Sequence, residues 1–303
     1  MFKPRIGVLG RDAREWYAAV DLAAGGFDVA YAGPLPVRGV RVPQPPRIFK
    51  DGVSVAAGRQ VLLGPVRAWQ PEAAAALEAA VRALPPRGLV IMGKPDARVR
   101  EAAAAGGHTL IDLLERDDFA LLNAVPTAEG AICEAIQAAN VTLAGSKVIV
   151  IGYGRTGQVL AHRLQGLAAR VWVAARSPHQ RAAALAVGLQ AAPMEDLPLQ
   201  AADASFIFNT VPALVVTREV LNACPDDLVI VDIASEPGGV DRAYAERRGL
   251  IWCWPLGIPG RVSPRTAGRI LHDMVHTLLA EVPLPDPGGR HPTLAAAVKE
   301  GGG

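Results

Sequence analysis

Short apolar runs alternate with alanine-rich amphipathic segments along the first 120 residues. The apolar runs have the length and continuity of strands buried on both faces, and the segments between them repeat apolar positions at helical spacing. This alternation is typical of parallel strands joined by helices. The pattern predicts strands at residues 5–10, 27–32, 60–64, 88–93 and 108–112, helices at 12–24, 71–84 and 96–105, and a loop in the first part of 38–65.

The second half of the chain repeats the alternation after a linking helix. Thr127 is a capping residue with Glu129 in the following turn, and the alanine-rich residues 127–139 predict a helix that links two domains. Further strands are predicted at residues 147–151, 170–174, 204–208, 228–233 and 250–254, and a final helix at 266–281.

These elements predict an α/β fold with two doubly wound parallel-sheet domains. Residues 1–122 are predicted to form a flavodoxin-like or Rossmann-like domain on the substrate side. Residues 123–282 are predicted to form a Rossmann dinucleotide-binding domain, and the proline- and glycine-rich residues 283–303 a flexible tail.

The composition of the chain argues against several kinds of binding partner. The 303 residues carry a net charge of +2, which offers no broad electrostatic surface for nucleic acid or for a membrane. No run of 18 apolar residues occurs, and the three cysteines have no paired spacing that would indicate disulfides or a zinc site. We therefore expect a cytoplasmic protein with neither nucleic acid nor membrane as a partner.

A glycine-rich loop joins the predicted strand 147–151 to a segment with helical composition. In such a loop the first glycine permits a tight turn, the second lets the backbone approach a diphosphate, and the third allows close packing of helix on strand. An ordinary strand–turn–helix is the alternative, but the surrounding β-α-β context favours a nucleotide site. The predicted diphosphate-binding residues are Gly152, Tyr153, Gly154, Arg155, Thr156 and Gly157.

The end of the next strand indicates which nicotinamide cofactor is bound. An NAD site has an acidic residue there, about 20 residues beyond the loop, that binds the ribose 2′-hydroxyl. This chain has Arg176 and Ser177 instead, with Arg181 in the following turn. A cation and a hydroxyl suit a 2′-phosphate, so NADP is predicted. The alternative for Arg176 is a solvated surface arginine.

Polar residues also end two later strands, where ligands of doubly wound sheets lie. Asn209 and Thr210, followed by Val211 and Pro212, are predicted to contact the nicotinamide ribose. Asp232 is predicted to border the same crevice. It is equally compatible with a structural acid whose hydrogen bonds are satisfied.

Two further segments carry cations suited to anionic ligands. The rigid loop 255–268 presents Arg261 and Ser263, and the turn 10–14 places Arg14 at a helix start. Surface arginines that meet only solvent are the alternative in both places. His272 and His276 are spaced as a metal-binding pair, but no third ligand is evident, so no metal is predicted.

Taken together, the segments resemble the family of dipicolinate synthase A subunits, and the resemblance covers most of the chain. It is carried by residues 10–14 (Gly-Arg-Asp-Ala-Arg), 126–131 (Pro-Thr-Ala-Glu-Gly-Ala), 152–157, 209–212, 232–239 and 255–268.

The resemblance implies oxidation of a dihydrodipicolinate-type ring to pyridine-2,6-dicarboxylate, with hydride transfer to NADP. Arg14, Arg261 and Arg265 are then expected to bind the two carboxylates, since guanidinium groups match them bidentately. A general base is also needed, and the candidates are Asp12, Glu129 and Asp232. The family further implies that the partner is a flavoprotein-like B subunit and that the protein works in the mother cell of a sporulating bacterium. Whether the chain forms a homo-oligomer is left open by the sequence.

Two other functions remain open. One is another two-domain NAD(P)-dependent dehydrogenase of the hydroxyacid or alanine dehydrogenase type. Hydroxyacid enzymes use a histidine late in the second domain, and this chain has none between His179 and His272. The other is a non-catalytic regulatory subunit that binds NADP.

Overall fold

Two parallel six-stranded sheets organise the chain. The structure is a computed structural model that describes residues 3–36, 44–66 and 71–284. The chain divides into a first unit, Met1–Phe119 with Pro264–Gly303, and a second unit, Ala120–Ser263. The predicted α/β fold with two doubly wound sheets is confirmed. Most of the predicted tail, residues 285–303, lies outside the described residues, as do residues 37–43 of the predicted loop.

The elements of the first unit's sheet and its helices are β1 (Ile6–Leu9), α1 (Ala13–Ala24), β2 (Val29–Ala32), β3 (Arg47–Ile48), α2 (Gly52–Ala56), β4 (Val61–Leu63), α3 (Pro71–Arg82), β5 (Leu89–Met92), α4 (Ala97–Ala105) and β6 (Thr109–Asp112). The sheet has the order β3-β2-β1-β4-β5-β6, with every pair parallel. Strands β1, β2, β4 and β5 are completely buried because helices cover both faces, which explains their continuous apolar sequences.

The second unit repeats this topology with the order β12-β11-β10-β7-β8-β9. Both sheets therefore have the 3-2-1-4-5-6 arrangement of dinucleotide-binding folds. The elements are β7 (Lys147–Ile151), α6 (Arg155–Gly166), β8 (Arg170–Ala174), α7 (Pro178–Ala186), β9 (Gln190–Ala192), a 3₁₀ turn (Met194–Asp196), α8 (Leu197–Ala201), β10 (Phe206–Asn209), α9 (Arg218–Ala223), β11 (Val229–Asp232), α10 (Arg242–Arg248), β12 (Ile251–Cys253) and α11 (Ile258–Val262).

The sequence analysis missed two short strands, β3 and β9. Both lie at a sheet edge, where a strand has one neighbour and needs less apolar surface. β3 consists of two exposed residues, and β9 reads Gln-Ala-Ala. Neither segment has an apolar run that distinguishes a strand from a loop.

The linking helix begins ten residues before its predicted start at Thr127. Helix α5 spans Asp117–Ala138 and contains Pro126. Because a proline lacks the backbone N–H that a helix interior uses, Pro126 favours a helix that starts after it. The helix nevertheless continues through this position, and the Thr127 hydroxyl donates a hydrogen bond to the carbonyl oxygen of Asn123 at 2.8 Å.

Helix α5 is also long and apolar enough to meet the length and composition criteria for a membrane span. Its mean hydropathy is 1.2. Within the second unit, however, Ala128, Ala131, Ile132 and Ala135 pack into the core formed with β7, β8 and α6. This packing buries one side of α5 in the core of the second unit, while Leu121, Leu122 and Ile136 remain exposed.

The final helix belongs to the first unit. The sequence predicts a second domain that extends to residue 282, but the second unit ends at Ser263. Helix α12 spans Pro264–Glu281, and its residues Leu271, Met274, Val275 and Leu278 join the core that contains Trp16 of α1. The position of this helix directly after the second domain in the sequence predicts that it belongs to that domain. In the structure, however, its apolar face is buried against α1.

The contact between α1 and α12 is tight at Gly268, and we predict that Gly268→Val destabilises the first unit. A Cβ atom at this position would lie 2.7 Å from the Arg14 carbonyl oxygen and 3.0 Å from the Ala18 nitrogen. Because both are backbone atoms, the helices must move apart, at a cost of about 2 kcal/mol or more. Urea unfolding measures the loss. The control is Gly166→Val, whose added Cβ meets no atom within 4 Å; equal midpoints for the two variants would contradict the packing argument.

Candidate functional site

The glycine loop lies at the carboxyl end of β7, beside the point where the strand order of the second sheet reverses. Gly152 has a φ of +90°, a conformation that favours glycine. A Cβ there would lie 2.5 Å from the Thr210 hydroxyl oxygen, which donates to the Ile151 carbonyl oxygen at 2.8 Å. The turn after β7 is therefore packed directly against the end of β10.

The other two glycines have different environments. A Cβ on Gly157 would lie 2.2 Å from the Gly152 carbonyl oxygen, so glycine is needed there for the helix to pack on the strand end. A Cβ on Gly154 would meet no atom within 4 Å. Gly154 is the N-cap of α6, and no side chain caps this helix. The start of α6 thus presents main-chain amides and a helix dipole to open space, which suits a diphosphate.

A cavity of about 680 Å³ opens over this loop. Its lining includes many of the residues predicted to bind the cofactor: Gly152, Tyr153, Gly154, Arg176, Ser177, Thr210, Val211 and Pro212. Arg155, Thr156 and Gly157 form the first turn of α6 next to it. The volume falls in the range of small-molecule sites. The residues present fit a dinucleotide.

Sequence analysis missed several residues of the lining. Met194 follows the edge strand β9, which was itself missed, and Gln180 lies in the first turn of α7 after the Ser177-Pro178 pair. Ala213 and Val215 continue the loop after β10. The only signal for Gln180 was its position just after the strand end that carries Arg176.

At the end of β8, the predicted phosphate-binding residues divide into two roles. Arg176 and Ser177 line the cavity, and Arg176 is exposed. Arg181 instead donates two hydrogen bonds of 2.8 Å from Nη1, to the carbonyl oxygens of Ala175 and Arg176. Arg181 therefore fixes the backbone of the turn that presents Arg176.

Asn209 and Asp232 form a buried pair beneath the cavity-lining loops, and both are 0% exposed. Asn209 Nδ2 donates to Asp232 Oδ1 at 2.8 Å and to the Val211 carbonyl oxygen at 3.0 Å. The backbone nitrogens of Ala234 and Gly239 donate to Asp232 at 3.1 and 2.7 Å. This pair shapes the loops after β10 and β11.

This hydrogen bonding bears on the two interpretations of Asp232. Its two oxygens accept three hydrogen bonds, and no part of the residue reaches the surface. A carboxylate in this setting stabilises the fold and is poorly placed to take a proton from a ligand. The geometry favours the structural acid over the predicted base.

The other predicted groups of the second unit lie outside the cavity lining. Glu129 on α5 forms an ion pair with Arg163 Nε at 3.2 Å, and its side chain is 56% exposed. Arg261 on α11 contacts Glu134 Oε1 through Nη2 at 2.5 Å. Ser263 ends α11. Glu129 is therefore a surface ion-pair partner, and Arg261 already has a carboxylate partner.

In the first unit, Asp12 and Arg14 lie together at the start of α1. Asp12 is the N-cap, and its carboxylate accepts from Arg14 N at 3.0 Å and from Arg14 Nε at 2.9 Å. Arg14 is only 3% exposed, whereas Arg265, in the first turn of α12, is exposed. Sequence analysis missed Glu15, although the Asp-x-x-Glu spacing from Asp12 is the signal of the capping box observed here.

His272 and His276 lie on α12 with ring centroids 4.6 Å apart. His272 Nδ1 contacts Asp273 Oδ1 at 2.7 Å. In residues 3–36, 44–66 and 71–284, no group of three His, Cys, Asp or Glu side chains is arranged to hold a metal ion.

The sequence is similar to known dehydrogenase domains and to one curated relative in particular. Residues 109–234 match the family described as D-isomer specific 2-hydroxyacid dehydrogenase, NAD binding domain. The chain is 38% identical over 194 residues to the A subunit of dipicolinate synthase from Bacillus subtilis (strain 168). That alignment covers 64% of this chain and 65% of the relative, just under two thirds of its length.

Solved structures extend the similarity over almost the whole chain. The dipicolinate synthase A subunit from Bacillus halodurans has a TM-score of 0.78 and 29% identity, with 92% of this chain and 98% of that chain covered. The corresponding structure from Bacillus subtilis has a TM-score of 0.77 and 30% identity, with coverage of 93% and 97%. The chain therefore belongs to the family of dipicolinate synthase A subunits.

Proposed function

We propose that this chain oxidises a dihydrodipicolinate-type ring to pyridine-2,6-dicarboxylate, with NADP as the hydride acceptor. The observation that carries the proposal is the diphosphate cradle, by which we mean the open space at Gly154 in front of the first amides of α6. This space is part of the cavity at the switch point of the second sheet, in a chain that belongs to the dipicolinate synthase A family. Ligands of doubly wound sheets bind at this position.

The cofactor-binding role follows from the loop geometry. When bound, the oxidised nicotinamide supplies the hydride acceptor. The uncapped amides at the start of α6 bind the diphosphate, and Gly154 lets it approach the backbone. Thr210, Val211 and Pro212 form the cavity wall after β10 and would border the nicotinamide end of the cofactor.

The preference for NADP rests on Arg176 and Ser177. Both line the cavity at the end of β8, where an NAD-selective site would have a carboxylate. The described lining contains no acidic residue. Arg181 supports the preference indirectly, because it donates hydrogen bonds to the carbonyl oxygens of Ala175 and Arg176 and so holds the backbone that carries Arg176.

Oxidation of the substrate gains aromaticity, so the protein chiefly orients the ring and neutralises two carboxylates. We assign one carboxylate to Arg14, since its Nε contacts Asp12 and no described residue hydrogen-bonds its Nη groups. Arg261 can bind the other carboxylate only by giving up or sharing Glu134. Arg265 and Ser263 remain candidates for the same role.

The ring loses one hydride and one proton, and a base must take the proton. Among the three predicted bases, Asp232 is fully engaged and Glu129 is paired with Arg163. The Asp12 carboxylate also accepts three hydrogen bonds, all from Arg14. Unlike Asp232 it is partly exposed, at 22%, and unlike Glu129 it lies beside a proposed carboxylate ligand. We therefore propose Asp12 as the base.

A second protein is part of the proposal. The curated relative is named as one lettered subunit of a synthase, the A subunit, which favours a partner B subunit for this chain too. We propose a flavoprotein-like B subunit, self-association of this chain, and a location in the cytoplasm of the mother cell.

Two alternative functions make different predictions. The match to a 2-hydroxyacid dehydrogenase domain favours another two-domain dehydrogenase, although the chain lacks a histidine between His179 and His272. A regulatory subunit would bind NADP without hydride transfer.

The proposed reaction predicts reduction of NADP when the purified chain receives the dihydropyridine dicarboxylate, in the presence of a B subunit if one is required. Absorbance of the reduced cofactor measures it. 2-Hydroxyacids and alanine are the matched substrates for the alternative dehydrogenases. Reduction with only these substrates, or with none of them in either the presence or the absence of the B subunit, would refute the proposed reaction.

For the cofactor, we predict that Arg176→Asp weakens NADP binding by about tenfold or more, because a charge-assisted hydrogen bond is lost and repulsion is added. NAD binding changes much less. Calorimetric titration of both dinucleotides measures this difference. The control is Arg247→Asp, which changes an exposed arginine of α10 outside the cavity lining. Equal losses for NADP and NAD would show that Arg176 does not select the 2′-phosphate.

A further inference from the structure

A fully buried carboxylate connects two loops of the first unit. Glu15 is 0% exposed. Its Oε2 accepts hydrogen bonds from the backbone nitrogens of Arg11 at 3.2 Å and Asp12 at 3.0 Å. Its Oε1 accepts from the backbone nitrogen of Val66 at 3.3 Å. Glu15 thus joins the loop after β1 to the loop after β4.

These two loops lie at the switch point of the first sheet. From β1 the chain continues to β2 and β3 on one side, while β4, β5 and β6 lie on the other. Ligands of such sheets bind beside the loops that follow the two strands at the switch point. Asp12 and Arg14, the proposed base and carboxylate ligand, belong to the first of these loops and the helix start.

Close contacts surround Gly10 in the first of these loops and Val66 in the second. A Cβ on Gly10 would lie 2.3 Å from the Tyr31 hydroxyl oxygen, and a Cβ on Gly93 would lie 2.0 Å from the Val66 carbonyl oxygen. Gly93 N also donates to the Pro65 carbonyl oxygen at 3.0 Å. The position of Val66 is therefore linked to β5 as well as to Glu15.

The environment of Glu15 disfavours the ionised form of its carboxyl group. Burial, reinforced by the Asp12 carboxylate, raises the pKa of Glu15 to about 7, although Arg14 and the amides of Asp12 and Val66 act in the opposite direction. Tyr31 faces this group from β2, and its own pKa is raised by burial and by Glu15. Glu15 consequently changes its charge close to neutral pH.

We propose that Glu15 is a positioning residue for the substrate end of the site: its carboxylate holds the start of α1 against the loop after β4, and loss of its charge frees Val66. Protonation converts one acceptor site of the carboxylate into an O–H donor and removes the negative charge, so the hydrogen bonds that it accepts from amides become weaker. Val66 is the single donor to Oε1, and its contact is the longest of the three. The relevance to turnover rests on the proposed function; the connection between the loops does not.

The test is amide hydrogen exchange at Val66 as a function of pH, measured by NMR on the full chain. The protection factor of the wild-type Val66 amide is expected to fall by about tenfold as pH decreases from 8.5 to 5.5, with a midpoint near 7. In Glu15→Gln, whose amide group cannot accept from both loops, protection is expected to stay at the low-pH level throughout.

A control variant and a direct titration of Glu15 complete the test. Glu101→Gln changes an exposed glutamate of α4 and should retain the wild-type transition. Carbon-13 titration of the Glu15 carboxyl in the wild-type protein tests the charge change without any substitution. A Val66 transition that persists in Glu15→Gln, a pH-independent wild-type Val66 amide, or a Glu15 carboxyl that titrates below pH 5 would each overturn the proposal.

Steady-state kinetics separates this inference from the proposed function. With the dihydropyridine dicarboxylate, wild-type KM should rise as pH falls through 7, and Glu15→Gln should have the raised KM at every pH. If no substrate is turned over, the proposed function fails, and Val66 exchange alone decides the role of Glu15.

Discussion

The second unit depends on the close approach of two backbone segments, the end of β7 and the start of α6. Gly152 and Gly157 have no room for a Cβ, because the Gly152 carbonyl oxygen lies where the Cβ of residue 157 would be and Thr210 packs against the turn. Gly154, between them, faces open space. This arrangement leaves the first amides of α6 without a side-chain cap, and a diphosphate is the kind of ligand that satisfies them.

Buried polar groups hold the remaining walls of the cavity in place. Asn209 and Asp232 end neighbouring strands and hydrogen-bond the loops that follow them, while Arg181 holds the turn after β8. In the first unit, Glu15 has the comparable task of joining two loops. In both units a carboxylate that is itself fully buried supports the residues proposed to meet a ligand.

Sequence predicted the parts of this structure that are determined locally. Strands such as β7 and β10 are recognisable from their continuous apolar sequences because both of their faces are buried. The spacing of three glycines predicted the tight turn between β7 and α6. What sequence left open depends on residues that lie elsewhere in the chain. The unit to which α12 belongs depends on the space at Gly268 beside α1, and the structural role favoured for Asp232 depends on Gly239 and Asn209, which donate hydrogen bonds to it in the folded state. A short edge strand such as β9 depends on its neighbour β8 for hydrogen bonding.

The most direct test is calorimetric titration of NADP into Gly154→Val, with Gly166→Val as the matched variant. Both substitutions place a Cβ where no described atom lies within 4 Å, so both proteins should fold normally. Only the first obstructs the space in front of the α6 amides. We predict that Gly154→Val loses the heat of NADP binding while Gly166→Val retains it; wild-type NADP affinity in folded Gly154→Val would contradict the diphosphate cradle.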